Sequence, residues 1–130
     1  MILLDTHVVL WLAFDPARIS RTATRAINEA RKNAQGLAIC DISLLEIAAL
    51  DKKGRIRLRG TLESFLTEVV ARFIVLPITG RACARASGLP GTYPSDPADR
   101  LIGATALVEG IPLLSADDAI RRSKAVMTVW

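Results

Sequence analysis

Apolar runs and amphipathic stretches alternate along the 130 residues from end to end. Ile2 to Leu4 is a short apolar run closed by Asp5, and helical spacing follows through Val8 and Leu12 until Pro16. Ser20 caps a helix predicted to run to Asn33, with Gly36 past its end. Leu37 to Ile42 reads as a second buried strand and Ser43 to Lys53 as a helix stopped by Gly54. Leu62, Phe65, Leu66, Val69, Val70 and Phe73 form the i, i+3, i+4, i+7 stripe of a helix lying on a core. Phe73 to Ile78 is a third strand, and Thr79 caps a short helix through Ala86. After a loop from Gly88 to Ser95, Asp96-Pro97 opens a helix that ends before Gly110. Ile111 to Leu114, a helical turn from Ala119 to Ser123, and Val126 to Val129 complete the series.

Strands separated by helices need crossover connections, which makes the sheet mainly parallel and covers both its faces. Near-continuous apolar strands fit that burial. The expected fold is a three-layer α/β/α sandwich in a single domain spanning 1–130.

Composition narrows the class. Half the chain is apolar (51%), which excludes a disordered segment. Two cysteines, Cys40 and Cys83, make no disulfide framework, and no Cys/His cluster points to zinc. No basic leader precedes the first apolar run, which already meets a carboxylate at Asp5, so a signal peptide is not expected. No apolar stretch reaches membrane-spanning length, and the expected location is the cytoplasm.

The acids carry the candidate chemistry. In open parallel sheets, ligands bind beyond the carboxyl ends of the strands. Asp5 ends the first strand, Glu46 lies one helical turn after the second, Asp117 follows the fourth by three residues, and Asp99 sits in the first turn after the long loop. Crowded carboxylates repel one another, and a hard divalent cation such as Mg²⁺ or Mn²⁺ relieves the repulsion through oxygen ligands. Setting these four aside leaves nine acids against 17 bases, a positive shell around a negative pocket. That arrangement suits a phosphate polymer. The densest basic stretch is Lys52, Lys53, Arg55, Arg57 and Arg59, and Arg100 is a further residue placed to meet phosphate or a neighbouring acid.

Several of these residues have plainer uses. Ser43 and Glu46 have capping-box spacing. Asp96 is a good N-cap before Pro97, and Asp99 suits the helix dipole at the third helical position. Thr6 and Ser115 can hold a water on a metal or fix a turn. His7 reads as a packed or supporting residue, Trp11 and Phe14 as core or dimer surface, and Tyr93 as the only aromatic placed to stack on a base. Asp5 is the hardest to explain by structure alone.

MILLDTHVVLWL, the Ser43-x-x-Glu46 helix start, DPADRLIGATALVEGIPLL and SADD together resemble the PIN-domain ribonucleases, and more narrowly the VapC toxins of type II toxin–antitoxin pairs. The resemblance spans nearly the whole chain in the family's order. It implies that Asp5, Glu46, Asp99 and Asp117 are the catalytic acids and hold the metal. It also favours Asp117 over Asp118 by the Ser-x-Asp spacing and makes Asp96 a frequent additional acid. Thr6, Ser43, Asp96 and Ser115 would then support the metal from behind. The activity implied is an Mg²⁺- or Mn²⁺-dependent endoribonuclease acting on RNA. It would be restrained by a VapB-type antitoxin, whose segment tucks into the groove beside the acids, and would work as a homodimer away from membranes. Two other readings compete. One is a phosphatase or phosphoryl-transfer domain with a nucleophilic Asp5, although position 7 is His where an Asp-x-Asp start would need an acid. The other is a non-catalytic Mg²⁺-binding regulatory module.

Overall fold

The computed structural model describes residues 1–130. Five parallel strands, β1 (Ile2–Leu4), β2 (Leu37–Cys40), β3 (Ile74–Leu76), β4 (Leu113–Leu114) and β5 (Thr128–Val129), form one sheet in the order β3-β2-β1-β4-β5. Every pairing is parallel, as the strand–helix alternation requires. The helices are α1 (Thr6–Phe14), α2 (Arg21–Lys32), α3 (Ile42–Lys52), α4 (Leu62–Arg72), α5 (Gly80–Ser87), α6 (Pro97–Glu109) and α7 (Asp118–Ser123), with a 3-10 turn at Pro16–Arg18.

The alternating Cβ directions of the strands divide the core in two. Ile2, Leu4, Leu37, Ile39 and Leu114 face a cluster that includes Val8, Val9, Ile27, Ile47 and Val69. Leu3, Ala38, Cys40 and Leu113 face the other way, onto Ile102, Ala106, Ile120 and Tyr93. A sheet with helices on both faces is the expected three-layer sandwich.

The local signals explain most boundaries. Ser20 Oγ accepts from Ala23 N and Asp96 Oδ2 from Asp99 N, the caps that the sequence indicates. Gly110 ends α6 at φ +65°, the left-handed conformation that favours glycine. Three details differ from expectation. The second strand stops at Cys40, because Ile42 already belongs to α3, so Ser43 lies inside the first turn and does not cap it. The third strand is shorter than Phe73 to Ile78 and lies at the sheet edge, where Ile74 is 42% exposed. The outer strand β5 is likewise only half-buried.

The strand order reverses between β1 and β4. Their carboxyl ends flank the crevice where parallel α/β sheets hold ligands.

Candidate metal centre

Asp5 leaves β1 directly into this crevice and is 4% exposed. Its Oδ1 accepts from Thr6 N at 2.8 Å, and its Oδ2 accepts from Ser115 Oγ at 2.7 Å. Ser115 follows β4, so this bond fastens the two strands across the switch point. Ser115 Oγ in turn accepts from Asp117 N at 3.1 Å. His7 Nε2 accepts from Ala116 N at 2.9 Å, which leaves the proton on Nδ1, 3.7 Å from Asp5 Oδ2. Burial lowers the His7 pKa, against the pull of Asp5 and Asp117, and keeps the ring neutral at pH 7.

A second chain of bonds holds Glu46. Thr6 Oγ1 donates to Glu46 Oε1 and lies 2.9 Å from Ser43 Oγ. Thr6 and Ser43 are both buried. The capping-box reading of Ser43 and Glu46 therefore fails: Ser43 turns its hydroxyl to Thr6 on the neighbouring helix. Asp41, at the helix start, makes no side-chain cap and accepts instead from Ile78 N.

Glu46 meets two acids from the start of α6. Oxygens of Glu46, Asp96 and Asp99 lie within 4.8 Å of one another. Asp96 therefore does two things, capping α6 through Oδ2 and contributing a carboxylate to the cluster. Asp5 is not in this closest group, yet its charge is the largest Coulombic influence on Asp99. Asp117 also acts on Asp99, while its own Oδ1 caps α7 by accepting from Ala119 N and Ile120 N. Asp118 points to the surface and pairs with Arg121 at 3.3 Å.

The electrostatics are those of a crowded anionic pocket. Burial first, then Asp5, Asp96, Glu46 and Asp117, push Asp99 up to about 7. Burial also raises Glu46, partly opposed by the Thr6 hydroxyl. The chain's one Lys/Arg–carboxylate ion pair is Asp118–Arg121, so no lysine or arginine neutralises Glu46, Asp96 or Asp99. An all-oxygen donor set with excess negative charge and no internal cation fits a hard divalent ion.

The basic residues chosen from the sequence do not gather here. Lys52, Lys53, Arg55, Arg57 and Arg59 are exposed around the end of α3 and the segment after it, while Ile56 and Leu58 between the arginines are half-buried. Arg100 contradicts its expected role. Its guanidinium donates to the carbonyls of Ala86, Leu89 and Pro94, which fastens the 88–95 loop under α6. Tyr93 is also no stacking surface, being 2% exposed with its hydroxyl donating to Asp99 O at 3.0 Å. Sequence reasoning missed both because their partners are backbone atoms, which leave no side-chain pattern. A groove of about 700 Å³ lies elsewhere, where β2 and β3 begin. Val9, Leu12, Phe65, Val69 and Phe73 line it, and its one carboxylate, Glu68, makes it no metal site.

Comparison with known proteins agrees with this geometry. The PIN domain family model matches residues 2–125. Ribonuclease VapC22 of Mycobacterium tuberculosis is 38% identical over 131 residues, covering 99% of this chain and 98% of that protein. Among solved structures, VapBC2 from Rickettsia felis, bound to a promoter DNA fragment, superposes with a TM-score of 0.71 at 17% identity, covering 98% of this chain and 97% of that one. DNA-bound VapBC from Salmonella typhimurium gives 0.69 at 15% identity, covering 98% and 95%. The five-stranded parallel sheet, the family match over nearly its full length and the curated relative agree: this chain belongs to the PIN-domain family and, within it, to the VapC ribonucleases.

Proposed function

We propose that this protein is a metal-dependent endoribonuclease, the toxin of a type II toxin–antitoxin pair, with one catalytic domain spanning 1–130. The observation that carries the reading is the convergence of Glu46, Asp96 and Asp99 within 4.8 Å, with no internal cation to balance them. Mg²⁺, or Mn²⁺ in its place, is the cation suited to this donor set. Glu46, Asp96 and Asp99 would hold it, with Asp5 and Asp117 completing the acidic wall. When bound, such an ion supplies Lewis acidity, an activated water and neutralisation of phosphate charge.

The remaining residues prepare the pocket. Thr6 fixes the Glu46 carboxylate, and Ser43 backs Thr6. Ser115 fixes Asp5 and sets the turn that presents Asp117. Asp99 would have to bind a cation as the carboxylate, since a carboxylic acid is a poor ligand. A nucleophilic Asp5 is not supported, because both its oxygens are engaged and the side chain is buried. This counts against the phosphoryl-enzyme reading.

The partner is a VapB-type antitoxin, as in the VapBC complexes of similar fold. Two surfaces could take a segment of it: the groove beside the acids that the family resemblance implies, and the apolar groove of α1, α2 and α4 with Arg31 and Arg72 among its lining residues. The toxin acts in the cytoplasm as a homodimer. No helix is long and apolar enough to cross a membrane.

The test is cleavage of RNA by purified protein free of antitoxin. Cleavage is expected with Mg²⁺ or Mn²⁺ and none in excess EDTA. Asp99→Asn is expected to lower the rate at least about a hundredfold, the scale of losing a group from a preorganised electrostatic site. Undiminished cleavage in EDTA overturns the proposal.

A further inference from the structure

The acidic centre continues into a surface that none of the roles above uses. The chain's two tryptophans, Trp11 on α1 and Trp130 after β5, meet with ring centroids 5.7 Å apart. His7, whose Nδ1 faces Asp5, lies 4.8 Å from the Trp11 ring and 6.4 Å from Trp130. Arg18 covers the Trp11 ring, its guanidinium carbon 4.1 Å from the ring centre. Its charge also reaches His7, an independent sign that it stands beside the pocket. Both indoles are half-buried and Arg18 is exposed.

From Arg18 the chain passes through Ser20 into α2. Ala23, Ile27 and Ala30 face the core, and Arg21, Arg25 and Lys32 are exposed. These three line a shallow depression of about 480 Å³ with Asn28 and Glu29. At about 1.5 Å per residue, the row extends some 16 Å along the helix. None of its cations, nor Arg18, forms an ion pair. Aromatic rings beside unpaired cations are the pattern with which proteins hold single-stranded nucleic acid: bases stack on rings or guanidinium planes, and cations follow the phosphates.

We infer that single-stranded RNA reaches the acidic centre across this surface. A base stacks on the Trp11–Arg18–Trp130 cluster, and the adjoining phosphates run along Arg21, Arg25 and Lys32. The inference rests on the ribonuclease reading and names the substrate's path to that site. It also assigns the base contact to Trp11 and Trp130, since Tyr93 is buried.

Both tryptophans lie in this cluster, so their emission reports its occupancy. A single-stranded oligoribonucleotide is titrated into the full chain in EDTA, with binding followed by tryptophan fluorescence and, separately, by anisotropy of a labelled oligonucleotide. Saturable quenching is expected. Arg21→Gln combined with Arg25→Gln weakens binding about tenfold and reduces the salt dependence by about 0.7 in log–log slope per lost phosphate contact. Arg81→Gln, on α5, serves as the control for loss of one positive charge elsewhere. Binding with unchanged emission, or a slope unaltered in the double variant, overturns the inference. If metal-dependent cleavage persists in that case, the ribonuclease reading stands and only the path is wrong. If the wild type neither binds nor cleaves RNA when metal is restored, both fail.

Discussion

Asp99 shows how one carboxyl group can bind protein stability to ligand affinity. Its ordinary value is 3.8, and the folded pocket raises it to about 7. Between those limits the unfolded chain has lost the proton and the folded chain retains it. The native state therefore binds more protons, and stability of the metal-free protein falls as pH rises from 4 to 7. After solvent screening of a half-buried group, the contribution is about 1–2 kcal/mol. Urea denaturation in EDTA at pH 4.5 and 7.5 should show the loss, and Asp99→Asn should flatten it. Of the acids, Asp5, Glu46, Asp99 and Asp117 were legible because each follows a strand or opens a helix at the sheet's carboxyl end. The second job of Asp96 came only through the family resemblance, since one carboxylate can cap a helix and face a cluster at once, and spacing registers only the cap.

At the scale of elements, the link between the 88–95 loop and α6 decides where two of the acids stand. Arg100 ties two loop carbonyls and one at the end of α5 to the helix, and the Tyr93 hydroxyl bonds the Asp99 carbonyl. Gly103 makes room for this, because a Cβ there would fall 2.2 Å from the Tyr93 oxygen. Gly103→Ala should cost about 1–3 kcal/mol through overpacking. It should also lower activity more than the stability loss explains, because Tyr93 is displaced from beside Asp99. Chemical denaturation together with cleavage assays on the folded fraction checks both. Tyr93→Phe keeps the ring and loses one hydrogen bond, worth about 1 kcal/mol. Helix starts were readable from Ser20, Thr79 and Asp96, whose side chains declare their caps. Strand lengths were overestimated, because hydropathy marks apolar residues without distinguishing an edge strand such as β3 from a central one.

For the whole molecule, the sheet order matters more than any single contact, and hydropathy does not contain it. Alternation of strands and helices gave parallel layers, but the placement of β1 between β2 and β4 arises from how the helices divide between the two faces. That placement sets Asp5 beside Ser115. It also makes the site a sink for cations, so Mg²⁺ should stabilise the folded state by mass action, about 2.7 kcal/mol at a hundred times its dissociation constant. Thermal melts with and without Mg²⁺ measure the gain, and Asp99→Asn should blunt it. Equal shifts in both proteins would show that the ion binds elsewhere.

The bond from Ser115 to Asp5 ties the last stretch of the chain to the first. Asp117, the last acid of the wall, and Ser115, the anchor of the first, both lie late in the sequence. A chain still lacking β4 has its leading aspartate untethered and Asp117 missing, so fragments that stop before residue 113 are expected to lack cleavage activity.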